Sequence, residues 1–319
     1  MKIAIVGYGN LGRGVETALL QQSDMEAVGV FTRRDPATLD SRIPAYALAD
    51  LPHHEIDVAI LCGGSATDLI KQSPDIVRHC NIVDSFDTHA RIPEHFAAVD
   101  AVARETDHAA LISTGWDPGL FSLMRVLGAA VLPDGTVDTF WGKGVSQGHS
   151  DAVRRIPGVV KAVQYTIPKE SAVAQVERGE GAGLTPRDKH LRECYVVAAA
   201  DADREAIRQA IVSMPNYFDE YDTQVNFIDE AEFKANHTAM PHGGQVIRHG
   251  YTSSNTPQVM NFSLTLASNP EFTASVNVAC ARGLYRAYQE GKRGCMTIFD
   301  LPISYLTGLS AEDLRKNWL

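Results

Sequence analysis

The chain has 319 residues, 45% of them hydrophobic and 21% charged, and its 29 basic and 39 acidic side chains leave a formal net charge of −10. That length suits two domains rather than one core, and the scattered basic residues argue against a nucleic-acid surface. No apolar run approaches the ~18 residues of a membrane span, and the four apolar residues before Gly7 are too few for a signal-peptide core, so a cytoplasmic chain with no membrane partner is expected.

Ile3-Ala4-Ile5-Val6 has the composition of a strand buried on both faces and runs into Gly7-Tyr8-Gly9-Asn10-Leu11-Gly12. This G-x-G-x-x-G has a physical logic. Gly7 allows a tight strand-to-helix turn, Gly9 lets a pyrophosphate approach the backbone, and Gly12 lets helix and strand lie close. A helix is expected from about Leu11 to Gln22, with Val15, Ala18, Leu19 and Leu20 facing the sheet and its N-terminal N–H groups aimed at phosphate. Ala27-Val28-Gly29-Val30-Phe31 supplies the second strand. At its end, where an NAD-binding chain places a carboxylate against the ribose, stand Thr32-Arg33-Arg34. Two guanidiniums attract a 2′-phosphate, so the expected cofactor is NADP(H).

An irregular stretch is expected from Asp35 to Pro52, then a third strand at Ile56 to Cys62. It leads into Gly63-Gly64-Ser65-Ala66-Thr67, the expected second cofactor-contacting loop, in which Ser65 or Thr67 could equally be a plain helix cap. Asn81 to Asp84 reads as the fourth strand, followed by Ser85-Phe86-Asp87-Thr88-His89 and a helix from about Pro93 to Glu105. Ala109 to Ser113 is the fifth, ending in Thr114-Gly115-Trp116-Asp117-Pro118-Gly119 before a helix from about Leu120 to Leu132, which Asp117 and Pro118 suit as cap and first turn. Alternating strands and helices predict an α/β, Rossmann-type doubly wound parallel sheet.

Beyond Leu132, strands at Val137 to Trp141, Ala162 to Ile167, Leu191 to Ala199, Val225 to Ile228, Gln245 to His249 and Val259 to Leu266 suggest a mixed α+β second domain, with Gly179 to Arg187 as a mobile loop. A helical pattern returns from Pro270 to Gln289. The expected boundaries are residues 1–118 for dinucleotide binding, 119–269 for substrate binding and dimerisation, and 270–319 for a helical segment packing back on the first domain.

Cys62, Cys80, Cys194, Cys280 and Cys295 are an odd number without C-x-x-C spacing, and His53-His54 has no partner at metal-ligand spacing, so no disulfide framework and no metal site is expected. His149-Ser150-Asp151 does not read as a hydrolase triad, because adjacent residues do not converge and no G-x-S-x-G is present.

Seven strings together resemble the meso-diaminopimelate dehydrogenase family: Ile5 to Arg13, Ser113 to Gly119, Phe140-Trp141-Gly142, Ser146 to Asp151, Arg154 to Val159, Val225 to Glu230 and Met240-Pro241-His242-Gly243-Gly244. The resemblance spans residues 3 to about 280. It implies a homodimer that deaminates meso-diaminopimelate at its D-centre with NADP, giving L-2-amino-6-oxopimelate and ammonia, or the reverse amination, in lysine and peptidoglycan precursor synthesis. It implies Asp87 and Asp117 at the reacting amine, where a carboxylate must hold the ammonium and assist loss of its proton. Trp116 lines that pocket. Gln147 and Gly148 are implied at the nearby carboxylate, with Trp141 and Asp151 close by. Thr166, Arg192, His242 and Asn269 are implied at the distal L-centre, Arg192 as a bidentate grip on the distal carboxylate. The alternatives are a reductase of a neighbouring lysine-pathway intermediate, for which no His-His-rich loop with a Lys donor is found, and a non-catalytic NADP sensor, against which the two aspartates argue.

Overall fold

The computed structural model describes residues 1–319 except for the side chain of Ala66. The chain divides into two compact units, Met1–Leu123 together with Pro270–Leu319, and Met124–Asn269. In chain order the first unit opens with β1 (Lys2–Val6), α1 (Asn10–Leu19), β2 (Glu26–Thr32), β3 (Ala45–Ala47), β4 (Val58–Leu61), α2 (Ile70–Ile76), β5 (Asn81–Asp84), α3 (Ile92–Glu105), β6 (Ala109–Leu111) and the start of α4 (Leu120–Val131). The second unit carries β7 (Gly135–Trp141), β8 (Gly144–Val145), α5 (Gln147–Arg154), β9 (Val159–Pro168), α6 (Glu170–Glu177), α7 (Pro186–Lys189), β10 (His190–Ala198), α8 (Arg204–Val212), β11 (Asp222–Phe227), α9 (Glu230–Asn236), β12 (His242–Ser253) and β13 (Thr256–Leu266). The chain then returns through α10 (Asn269–Gln289), β14 (Gly294–Met296) and α11 (Ala311–Trp318).

The first unit is a parallel seven-stranded sheet in the order β3-β2-β1-β4-β5-β6-β14. Alternation along the strands sends their side chains into two cores. Ile3, Ile5, Ile60 and Val83 meet α1 and α10 on one face, while Ala4, Val6, Ala59, Leu61 and Ile82 meet α2 and α3 on the other. This is the expected doubly wound sheet, and its strand order reverses between β1 and β4, where the loops after both strands open at the carboxyl edge. Gly14 lets α1 and α10 approach closely, since a Cβ there would stand 2.9 Å from that of Ala274.

The second unit has a mixed sheet, β11-β10-β9-β8, in which only β10 and β11 run parallel, and an antiparallel sheet, β13-β12-β7. Val153, Ile207, Ile211 and Phe218 pack α5 and α8 onto the mixed sheet through Ala162, Cys194 and Val196. Among the described residues, no helix is long and apolar enough to cross a membrane.

Several local expectations are corrected. The stretch Asp35 to Pro52 contains β3, whose three residues are too short to show a period, and β14 joins the sheet edge beside β6 unannounced for the same reason. Leu20 is 52% exposed and does not face the sheet, because α1 ends at Leu19. The expected loop Gly179 to Arg187 closes in a helical turn, where the Thr185 hydroxyl and the Asp188 carboxylate cap each other's backbone.

Candidate active site

The cofactor-binding residues expected from sequence gather at the carboxyl edge of the parallel sheet. A Cβ on Gly12 would lie 2.2 Å from the Gly7 carbonyl oxygen, so only glycine fits, whereas a Cβ on Gly9 meets nothing within 4 Å. The two glycines thus do different work: Gly12 closes the helix onto the turn, and Gly9 leaves room outside it. Asn10 and Leu11 begin α1, which presents its N-terminal N–H groups there. Tyr8 faces inward, its hydroxyl donating to the buried Glu16 carboxylate at 2.7 Å and lying 3.0 Å from the Asp40 carbonyl. Burial would push the Glu16 carboxyl up, but hydrogen bonds from Tyr8, Ser41 and the Arg42 backbone hold it below the ordinary glutamate value.

At the end of β2 the Thr32 hydroxyl accepts from the Arg34 backbone N–H at 3.1 Å, and the Arg34 guanidinium donates to the Tyr8 carbonyl at 2.5 Å. Arg34 therefore braces the glycine-rich turn. Arg33 is 65% exposed and forms an ion pair with Asp68 at 2.6 Å. The Gly64 backbone N–H donates to the other Asp68 oxygen at 3.0 Å. With Arg33 it holds the Asp68 carboxyl below its ordinary value, against the opposing effect of partial burial. Neither Ser65 nor Thr67 caps the following helix, because Gly64 occupies the cap position of the π-type turn Ser65–Leu69. The Ser65 hydroxyl accepts from the Asp87 backbone N–H at 2.7 Å, which ties the loop after β4 to the loop after β5. For Ala66 the side chain lies outside the described residues.

Asp87 is exposed on the loop after β5, and Asp117 is half-buried on the loop after β6. Helix α4 begins at Leu120, three residues after Asp117, and the Leu120 N–H reaches back to the Gly115 carbonyl at 3.1 Å. Trp116 is buried, its ring edge-on to Phe121 at 5.2 Å. Phe86, fully buried, stacks on His95 at 4.1 Å, so its side chain belongs to the support beneath the loop.

That support is a buried polar network. The Asp84 carboxylate accepts from the Ser73 hydroxyl at 2.7 Å and from the backbone N–H groups of Phe86 at 3.0 Å and Ser113 at 3.1 Å, and pairs with His95 at 2.8 Å. Its carbonyl accepts from Thr114, and Asn277 of α10 reaches both Thr114 and Ser85. Sequence reasoning missed Asp84, His95 and Asn277. The available signal was a lone amide inside the apolar run Val276-Asn277-Val278 and a carboxylate closing the apolar strand Ile82-Val83, while His95 sits on α3 with no such local mark.

In the second unit Thr166, Arg192 and Thr223 stand opposite one another across β9, β10 and β11. Arg192 is 8% exposed. Its guanidinium donates to the Thr166 hydroxyl and lies over the Tyr221 ring, while its Nε has no hydrogen-bond partner, nor has the buried Gln164 Oε1. No carboxylate pairs with Arg192 among the described residues, and burial draws its pKa down. Burial and the same positive charge push His149 and His190 down to about 4. Neutral His190 uses Nε2 to accept the Trp141 backbone N–H at 3.0 Å, and the Trp141 ring sits 5.7 Å from it.

Gln147, Gly148 and Asp151 lie exposed on α5. Gln147 reaches the Met240 sulfur at 3.4 Å, and Asp151 is paired with Arg154 one turn on. His242 packs on Gly144, where a Cβ would come within 2.4 Å of the imidazole, and the Asn269 backbone N–H donates to the Met240 carbonyl at 2.9 Å. All five cysteines are free, four of them buried, and burial pushes the Cys80, Cys194 and Cys280 thiols up to about 12, which removes them as nucleophiles.

Residues 115–268 match a family model described as the diaminopimelic acid dehydrogenase C-terminal domain. The chain is 58% identical over 323 residues to meso-diaminopimelate D-dehydrogenase of Lysinibacillus sphaericus, covering 100% of this chain and 99% of that protein. Among solved structures it is similar to the DAP dehydrogenase of C. glutamicum in complex with DAP, with a TM-score of 0.93, 46% identity, and coverage of 100% and 99% of the two chains. It is also similar to an engineered D-amino acid dehydrogenase bound to NADP+, with a TM-score of 0.88, 45% identity and the same coverage.

Proposed function

The chain belongs to the meso-diaminopimelate D-dehydrogenase family, and we propose that it catalyses the reversible oxidative deamination of meso-2,6-diaminopimelate at its D-centre. The amine, NADP+ and water give L-2-amino-6-oxopimelate, ammonium, NADPH and a proton. The observation that carries this reading beyond a generic dehydrogenase is Arg192, a buried guanidinium with a hydroxyl and an aromatic ring for partners and no carboxylate. A buried cation of that kind suits the second carboxylate of a diacid. A monocarboxylic amino acid would leave it unpaired, which is how the substrate is selected.

The residues of the first unit fit a phosphorylated dinucleotide. Gly7, Tyr8, Gly9, Asn10, Leu11 and Gly12 would hold the pyrophosphate, Thr32, Arg33 and Arg34 the 2′-phosphate, and Gly64 to Thr67 with Ser85 to Asp87 the rest. The fit rests on the open space above Gly9 and on two guanidiniums at the end of β2. Bound NADP+ supplies the hydride acceptor. Asp87 and Asp117 hold the reacting ammonium and take its proton, so that the nitrogen lone pair is available as the Cα–H bond breaks. The same carboxylates orient the water that adds to the resulting imine. Trp116 shapes the pocket at this end. Gln147 and Gly148, flanked by Trp141 and Asp151, receive the nearby carboxylate, and Thr166, Arg192, His242 and Asn269 receive the distal amino-acid end.

On this reading residues 1–118 bind the dinucleotide, 119–269 bind substrate and dimerise, and 270–319 complete the first domain. We also infer a cytosolic homodimer serving lysine and peptidoglycan precursor synthesis. Exposed Val126, Leu127 and Val131 on α4 and Val137 and Val259 on the antiparallel sheet support a subunit interface. The test is NADPH formation with meso-, LL- and DD-diaminopimelate and with D-alanine. Turnover of the meso form but not of the LL form, which has no D-centre, is expected, with D-alanine far poorer; equal turnover of D-alanine would overturn the diacid reading.

A further inference from the structure

We propose that Asn277 is a positioning residue for the reaction, holding the loop that carries Asp87 and the loop that carries Asp117 in fixed mutual placement. The inference rests on the reading of those two aspartates as the proton-handling pair. Asn277 is fully buried on α10, between Val276 and Val278 in the apolar layer that covers the sheet. Its Oδ1 lies 2.8 Å from the Thr114 hydroxyl, whose single proton it shares with the Asp84 carbonyl, also at 2.8 Å, and its Nδ2 donates to the Ser85 hydroxyl at 2.7 Å. Ser85 stands two residues before Asp87, and Thr114 three before Asp117. Turning the amide over exchanges donor and acceptor and preserves both contacts.

A buried amide is unfavourable in an apolar layer unless both its ends are satisfied, and a leucine there would serve packing alone as well or better. The satisfied amide is a second bridge between the two loops, beside the Asp84 carboxylate, which accepts from the Phe86 N–H of one and from the Ser113 N–H at the base of the other. Each loop is also anchored separately. The Thr114 backbone N–H donates to the Asp84 carbonyl at 2.9 Å, and Asp87 is tied to Ser65. These contacts tie each loop sideways to its neighbour, Thr114 to the end of β5 and Asp87 to the loop after β4. Asn277 sets the spacing between the two loops, which two carboxylates sharing one ammonium require.

The test replaces Asn277→Leu and, from the loop side, Thr114→Val, which cuts the same link, together with the hydroxyl's contact to the Asp84 carbonyl, while keeping its own shape. Each variant is compared with Asp87→Asn and Asp117→Asn and with the Asn277→Leu/Asp117→Asn double variant. We expect NADPH affinity within about twofold of the parent, and kcat for meso-diaminopimelate reduced by about 10- to 100-fold with a smaller change in KM, the size of effect that misplacement of about 1 Å produces. In the Asp117→Asn background Asn277→Leu should add little further loss, because it acts through that carboxylate. A kcat within twofold of the parent in a folded Asn277→Leu enzyme, or losses that multiply fully in the double variant, would overturn the proposal. If Asn277→Leu fails to fold, Thr114→Val decides by the same criteria. If neither aspartate variant lowers kcat, the proton-handling reading falls and the positioning role falls with it; if they do and the Asn277 and Thr114 variants do not, only the positioning role is lost.

Discussion

The Arg192 guanidinium lies 4.0 Å from the centre of the Tyr221 ring, so that one of the most buried charges of the chain is held over an aromatic face rather than against a carboxylate. A ring attracts a cation without neutralising it, which leaves the outer edge of the fork available for an incoming anion. Replacing Tyr221→Leu should raise KM for meso-diaminopimelate about 5- to 20-fold, as expected from loss of about 1–2 kcal/mol, with KM for NADP unchanged. Tyr221→Phe keeps the ring and should stay much closer to the parent. Steady-state kinetics with each substrate varied separately checks this, and equal effects of the two substitutions would count against the stacking.

Gly9 and Gly12 separate cofactor binding from folding. Gly12→Ala places a Cβ 2.2 Å from the Gly7 carbonyl oxygen and should give poorly folded protein with a sharply lowered Tm. Gly9→Ala meets no protein atom and should fold normally, yet it fills the space the pyrophosphate requires. Circular dichroism melting alongside NADPH fluorescence titration distinguishes the two, and an unaltered NADPH affinity for Gly9→Ala would show that the phosphate does not approach there.

Arg33 and Arg34 should divide their labour. Arg33→Ala removes a guanidinium that is exposed and paired with Asp68, so it should raise KM for NADP by ~10- to 100-fold, the loss of about 1.5–3 kcal/mol typical of a charged hydrogen bond, and leave KM for NAD little changed. Arg34→Ala also releases the Tyr8 carbonyl and should weaken both cofactors. Comparing kcat/KM for NADP and NAD in each variant is the check.

The two depressed imidazoles make the protein sensitive to mild acid. His149 and His190 titrate at about 4 when folded and near the ordinary 6.5 when unfolded. Between those values the unfolded chain binds the extra protons, so stability falls as pH drops from about 6.5 to about 4 and levels off below. Each imidazole contributes at most about 3 kcal/mol across that window. His190→Gln retains an acceptor for the Trp141 N–H and removes one titration. Urea melts at pH 7.5 and pH 5.0 should show a smaller difference for this variant than for the parent.

The glycine-rich turn, its flanking strands and Arg33-Arg34 were legible because their constraints are local: a strand buried on both faces, a turn, a helix start. Cross-chain features were not. Asn277 takes its meaning from Ser85 and Thr114, more than 160 residues away, and reads alone as a polar interruption of an apolar helix. Asp117 before Pro118 suits a helix cap as well as a substrate contact, and local sequence does not separate the two. Arg192 in a strand could face either way, and its burial depends on Thr166 and Tyr221 brought in by neighbouring strands. β14 carries its information in pairing with β6, which three residues cannot announce.

The discontinuous make-up of the first unit bears on how the protein is made. Residues 124–269 form one uninterrupted run and can fold as they leave the ribosome, whereas the parallel sheet must wait for β14 at its edge and for α10 over the face bearing Ile3 and Ile5. Until then an apolar sheet face stays open and the Asp87 and Asp117 loops lack Asn277. A chain cut short after the second unit would therefore keep the glycine-rich turn in its sequence but present an aggregation-prone half-sheet, and the amide that ties the two carboxylate loops together arrives only with the final 50 residues, residues 270–319.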